Sequence, residues 1–210
     1  LHLAAQSNPA ASWNEPEETF RVNTSATSLL VDEAGRSGTV RRFVFISSSD
    51  IYGVPDSEHL PVRESTPRRP ANPYAVSKVA AEDLVSLYTR RHDIEHVILR
   101  PFSHTGPGQT DRFVVPAFAR QIAMIEAGQQ HELRHGSLEA WRDFSDVRDV
   151  VHAYRLAAER AATGSIYNVC SGTSITIQSI LDRLVSSSGV DMRTVSDRDR
   201  LRPEKVVKFR

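Results

Sequence analysis

Short apolar runs alternate with stretches of helical periodicity along almost the whole chain, and nothing else in the sequence constrains the fold as strongly. "RFVFISSS" (42–49), "HVILRP" (96–101) and residues 165–169 read as strands. Residues 18–34, 72–92, 113–128, 146–161 and 176–188 read as helices. Strands alternating with helices predict an α/β fold with a parallel sheet and helices on both faces. The 72–92 helix has the clearest start. Asn72 can cap it and Pro73 suits its first position. Val76, Ala80, Leu84 and Leu87 form its apolar stripe. In 18–34, Phe20, Thr27, Leu30 and Ala34 share a face, and Gly35 reads as the stop.

Composition narrows the class. Lys plus Arg and Asp plus Glu are both 26, so the chain as a whole carries no signature of nucleic-acid or membrane-surface binding. No run approaches the ~18 apolar residues that span a bilayer. Cys170 is the only cysteine, which excludes an internal disulfide framework and fits a reducing cytoplasm. The opening "LHLAAQS" begins with an apolar run under way, and "RPEKVVKFR" stops in strand-like sequence. Both ends read as cut, so a fragment is expected.

The chemistry centres on "PYAVSK" (73–78). Residues four apart share a helix face, so Tyr74 and Lys78 project together. A free tyrosine titrates near ~10 and is a poor acid or base at neutral pH. A nearby ammonium favours the phenolate. A lowering by roughly three units needs about 4 kcal/mol, which one Lys and a cationic ring could supply. Such a pair suits carbonyl–alcohol interconversion. On spacing alone, a surface Tyr–Lys contact is the alternative. The strand ending in serines at 47–49 adds weight, because ligands bind at the carboxyl ends of parallel strands.

"HLAAQS", "FISSSDIYG", "PYAVSK", "RPFSHTGPGQ", "RDFSDVRDVVHAY" and "YNVCSG" occur in this order. Together they resemble the extended short-chain dehydrogenase/reductase family of sugar-nucleotide epimerases, dehydratases and reductases. The resemblance implies a Rossmann core, 1–103 with 146–169, and a sugar-nucleotide lobe, 104–145 with 170–210. It implies Tyr74 as catalytic acid/base, with Lys78 lowering its pKa and binding the nicotinamide ribose. The catalytic Ser or Thr precedes the tyrosine of "YG", Tyr52, by four residues, which selects Ser48. Ser47 and Ser49 remain alternatives by register, Ser47 on the cofactor side and Ser49 on the substrate side. Leu3, Ala4, Ala5 and Pro101 resemble further cofactor contacts, to NAD or NADP. The helices at 18–34 and 73–92 form the family's usual dimer bundle, which implies a homodimer.

Within the family, "FVVPAFARQIAMIEAG" and "GSLEAWRDFSDVRDVV" are most similar to enzymes acting on GDP-linked deoxyhexoses. One kind reduces the C4 ketone of GDP-4-keto-6-deoxy-D-mannose. The other, a 4,6-dehydratase, eliminates water and usually has Glu where this chain has Asp50. Asp is about 1.5 Å shorter in reach, which favours the reductase, although a carboxylate is still present. Loop capping is the alternative role for Asp50. Arg142 and Arg202 match arginines that grip the pyrophosphate, and a surface salt bridge is the alternative for each. Asn23 matches an Asn near the active site, or is structural. His104 is a substrate contact or a loop histidine. Ser103 replaces the usual Asn of "RPFN" and has no amide. No G-x-x-G-x-x-G cofactor turn occurs in the chain, so an inactive or purely interacting fragment is the rival to an enzyme.

"HELRH" (131–135) fits a zinc-protease signature, but the register makes it a strand, with residues four apart ~13 Å away from each other. Cys170 is expected to pack at the end of a buried strand. "NTS" (23–25) fits a glycosylation acceptor, but lies in a helix.

Overall fold

The computed structural model describes residues 1–197. In chain order the elements are α1 (Pro9–Asn14), α2 (Pro16–Phe20), α3 (Ala26–Arg36), β1 (Arg42–Ile46), α4 (Pro73–His92), β2 (Glu95–Pro101), β3 (Ser103–Thr105), α5 (Val114–Glu126), β4 (Glu132–His135), β5 (Trp141–Asp146), α6 (Val147–Arg160), β6 (Ser165–Val169), β7 (Ser174–Thr176), α7 (Ile177–Ser188) and β8 (Arg193–Ser196). They form two compact units. The first is Leu1–Phe102 with Asp149–Val169, and the second is Ser103–Arg148 with the chain from Cys170.

The core of the first unit is a parallel sheet in the order β1-β2-β6. His2 adds a single parallel bridge to Phe45, so "LHLAA" contributes one sheet contact and no longer strand. Alternation along β1 sends side chains to both faces. Phe43 and Phe45 pack with Val31, Ala81 and Val85 from α3 and α4. Val44 and Ile46 pack with Val150, Tyr154 and Ala157 from α6. Burial of each large apolar side chain stabilises the fold by roughly 1.5–3 kcal/mol. The expected parallel sheet with helices on both faces is therefore present.

β1 ends at Ile46, before the serines. Ser47 is still tied to the sheet, its N–H donating to Leu99 O at 2.7 Å. The chain then turns through a 3-10 segment, Ser49–Tyr52.

Two helix faces differ from the sequence reading. On α4 the buried residues include Ala75, Ser77, Lys78, Ala81, Glu82, Val85 and Thr89, whereas Val76 is 40% and Leu87 54% exposed. The polar residues of the buried face are hydrogen-bonded, so apolarity does not mark the inner face of this helix. The segment 18–34 contains a π-turn at Arg21–Ser25 between α2 and α3. Its extra residue shifts the register. Thr19, Asn23, Thr27 and Val31 are buried, and Leu30 is 46% exposed. Gly35 is not the stop, since α3 continues to Arg36. A Cβ there would collide with the His92 ring, so the glycine serves close packing of α3 on α4.

The second unit has the parallel pair β3-β5, β7 antiparallel to β5, and the parallel pair β4-β8. Phe118, Ile122, Leu133, Ile177, Ile180 and Leu181 form its core. "HELRH" lies on and just before β4, with Leu133 fully buried between the two histidines. Among the described residues no helix is long and apolar enough to cross a membrane.

Candidate active site

The start of α4 is fixed as its sequence dictates. Asn72 Oδ1 accepts from Ala75 N at 2.8 Å, and Pro73 occupies the first turn. This cap places Tyr74 on the first turn and Lys78 on the second, both buried against β1. Lys78 Nζ donates to Ile46 O, at the carboxyl end of β1, at 2.8 Å. It lies 5.1 Å from the Phe45 ring centroid and 6.0 Å from that of Tyr74. Burial pushes its pKa down to about 8, and Glu82, one turn further along, opposes the shift.

Ser48 stands out among the three serines. Its Oγ accepts from Asp50 N at 3.1 Å, capping the Ser49–Tyr52 turn. Its hydroxyl also acts on Tyr74, opposing the upward shift of the phenol pKa. Ser49, 8% exposed, is in the turn itself. Ser47 Oγ is buried with no hydrogen-bond partner among the described residues. A buried hydroxyl left without a partner is costly, so this position suits a bound polar group. Lys78 has three N–H donors, and Ile46 O takes one.

The expected lowering of the Tyr74 pKa is not found. Burial raises it well above the ordinary value, and Asp50 and Tyr154 raise it further. Only the Ser48 hydrogen bond opposes. The Lys78 charge is directed to Ile46 O, and the group is itself desolvated. At neutral pH Tyr74 is therefore a protonated hydroxyl, able to donate a proton.

Ser47, Ser48, Asp50, Tyr74 and Lys78 all belong to the first unit, as do Leu3, Ala4, Ala5 and Pro101. Leu3 is 61% exposed, Ala4 is exposed and Ala5 is half-buried. Pro101 ends β2, opposite Val169. Ser103, His104 and Arg142 belong to the second unit, on the paired strands β3 and β5, where Ser103 faces Phe144 and His104 faces Ser145. Arg142 Nη1 donates to Trp141 O at 2.8 Å. Arg202 lies outside the described residues.

Asn23 is 1% exposed. Its Oδ1 accepts from Gln6 N, and its Nδ2 donates to Gln6 O and Ser77 Oγ at 3.0 Å each. Ser77 Oγ in turn donates to Tyr74 O. Asn23 is thus a strut between the "HLAAQ" segment and the Tyr74 turn, and the buried amide is no glycosylation acceptor. Cys170 is exposed rather than packed, because β6 is only half-buried at its end. Sequence reasoning passed over Tyr154, Glu82, Arg100 and Asn168, which reach the site region from α6, α4, β2 and β6 and carry no local spacing signal.

A family model described as GDP-mannose 4,6 dehydratase matches residues 1–208. GDP-6-deoxy-D-mannose reductase of Pseudomonas aeruginosa is 37% identical over 203 residues, 96% of this chain and 67% of the relative. The dTDP-D-glucose 4,6-dehydratase of Mus musculus is 32% identical over 185 residues, 88% of this chain and 50% of the relative. Among solved structures, that of RMD from Pseudomonas aeruginosa complexed with NADPH superposes with a TM-score of 0.91 at 37% identity, over 95% of this chain and 69% of that one.

Proposed function

The chain belongs to the GDP-mannose 4,6 dehydratase family, and from that premise we propose that the protein is a nicotinamide-dependent sugar-nucleotide oxidoreductase that reduces the C4 ketone of GDP-4-keto-6-deoxy-D-mannose. The observation that carries the reading is the buried Tyr74–Lys78 pair at the start of α4, with Lys78 Nζ donating to Ile46 O at the carboxyl end of β1 and Ser48 just beyond that end. Tyr74 gives its hydroxyl proton to the C4 oxygen as that oxygen becomes an alcohol. Ser48 donates to the same oxygen and shares the charge that develops there. Lys78 and Ser47 hold the cofactor, NAD or NADP, with Leu3, Ala4, Ala5 and Pro101 around it. When bound in reduced form, this cofactor supplies the hydride. In the second unit, Ser103, His104 and Arg142 contact the sugar nucleotide, with Arg202 as a second grip on its pyrophosphate.

Asp50 also keeps a second reading open, the 4,6-dehydratase. Its carboxylate acts on Tyr74 and could serve the elimination, although its reach is shorter than that of Glu. The enzyme is cytoplasmic in this reading, and pairs as a homodimer through the exposed apolar residues Leu29, Leu30, Val76 and Leu87 of α3 and α4.

The test is oxidation of NADPH or NADH by the encoded protein with GDP-4-keto-6-deoxy-D-mannose, with the product identified by mass spectrometry. Ketone-dependent oxidation, lost by at least about 100-fold in Tyr74→Phe, supports the reductase. Dehydration of GDP-mannose with no net cofactor consumption would favour the second reading. Neither activity in a folded protein sinks both.

A further inference from the structure

A buried charged network reaches the catalytic turn from behind. Arg100 on β2 donates through Nε and Nη2 to both carboxylate oxygens of Glu82 on α4, at 3.0 and 2.8 Å. Arg100 is 3% and Glu82 2% exposed. Arg100 Nη1 donates to the Tyr52 hydroxyl at 2.9 Å, and its guanidinium carbon lies 5.2 Å from the Tyr52 ring centroid. The Tyr52 hydroxyl donates onward to Asn168 Oδ1 on β6 at 2.7 Å.

Such a pair is expensive to bury, and a well-packed apolar pair of the same size would hold the helix to the sheet at least as well. Its placement is what distinguishes it. Glu82 lies one helical turn beyond Lys78 and two beyond Tyr74. Tyr52 closes the turn that Ser48 caps. A bidentate pair fixes both distance and angle, where apolar packing tolerates sliding. The pair therefore spans the two segments whose side chains must meet, Tyr74 from the helix and Ser48 from the turn.

We infer that Glu82 and Arg100 are positioning residues, which act through Tyr52 to hold the Ser48–Tyr52 turn against α4 and so keep Ser48 on the Tyr74 hydroxyl. This inference rests on the catalytic roles proposed for Ser48 and Tyr74. It assigns no contact with substrate or cofactor to the pair. The network serves the geometry of the proton donor, so its loss lowers kcat and leaves KM largely unchanged.

The experiment is a double-mutant cycle between Tyr52 and Ser48 in the encoded protein, with the C4-ketone sugar nucleotide as substrate. Tyr52→Phe leaves the Glu82–Arg100 pair intact and removes its link to the turn, together with the Tyr52–Asn168 hydrogen bond. We expect kcat to fall about 5- to 20-fold, a modest misplacement of a proton donor, with KM within about twofold. In a Ser48→Ala background the same change should cost less than about twofold. A purely structural role predicts equal loss in both backgrounds, and that outcome overturns the inference. So does an unchanged kcat in Tyr52→Phe. If Tyr52→Phe does not fold, the double replacement Glu82→Gln with Arg100→Met, which leaves no unpaired buried charge, is measured in the same cycle with the same expectations. Should Ser48→Ala and Tyr74→Phe both turn over like the parent, the proposed catalytic roles fail and the inference falls with them. Loss of turnover in those two, with Tyr52→Phe silent, rejects the inference alone.

Discussion

Lys78, 4% exposed, donates from Nζ to the Ile46 carbonyl at 2.8 Å, at the end of the strand that leads into the serines. The contact fixes the ammonium, but burial lowers its pKa from 10.5 to about 8, a destabilisation of the folded charged form on the order of 3 kcal/mol. The sign of the pH dependence follows. Between about 8 and 10.5 the unfolded chain keeps the lysine proton and the folded chain does not. Folding stability should therefore rise with pH from about 8 to about 10, from a constant penalty below that range. Above about 10 the trend reverses, because buried Tyr74, Tyr154 and Tyr52 keep protons that the unfolded chain loses. Urea melts from pH 7 to 10.5 measure this. The rise should vanish in Lys78→Met, and a rise of equal size in that variant would reject the assignment.

Asn23→Ala should cost roughly 2–3 kcal/mol, since it takes their partner from Gln6 N and Gln6 O and a donor from Ser77 Oγ, which keeps only its bond to Tyr74 O. Turnover measured well below the melting temperature should fall by less than about threefold, because the amide bonds only to structural partners. A large loss of kcat at unchanged stability would instead place Asn23 in the chemistry.

What was legible in the sequence was what local chemistry fixes. Asn72 and Pro73 announced the start of α4, and the pairing of Tyr74 with Lys78 followed from one helix turn, whereas Ser48 was singled out from Ser47 and Ser49 only by the family resemblance. The faces of the helices were not legible. Ser77, Lys78 and Glu82 are buried because partners far along the chain satisfy them, and an apolar stripe cannot report that. The π-turn at Arg21–Ser25 moved the face of α3 for a similar reason, as no residue type encodes it. Glu82 and Arg100 meet only once α4 and β2 have packed. The raised Tyr74 pKa likewise depends on burial and on Asp50, which spacing alone does not weigh.

Gly35→Ala sets two effects against each other. Alanine within an exposed helix gains about 1 kcal/mol over glycine. Here the new Cβ meets the His92 ring, which is held by a 2.7 Å contact between His92 Nε2 and Asp32 Oδ1. Overpacking against a fixed ring costs about 1–3 kcal/mol, so a net destabilisation is expected. Chemical denaturation decides it. A gain in stability would mean that His92 yields without losing Asp32.

The outer face of α3 and α4 yields the last prediction. Leu30 is 46%, Leu87 54% and Val76 40% exposed, while the inner face of α4 buries Lys78, Glu82 and Thr89. Leucines at solvent-facing helical positions gain nothing unless something covers them, and each covered one contributes roughly 1.5–3 kcal/mol. A second copy presenting the same residues would cover both helices symmetrically. The protein should run at twice the chain mass in size-exclusion chromatography with light scattering at micromolar concentration. Leu30→Asp with Leu87→Asp should give a folded monomer, since neither side chain contributes to the core of its own chain. A wild-type monomer under these conditions would mean the face is not a self-association surface. A dimer that survives both substitutions would place the interface elsewhere.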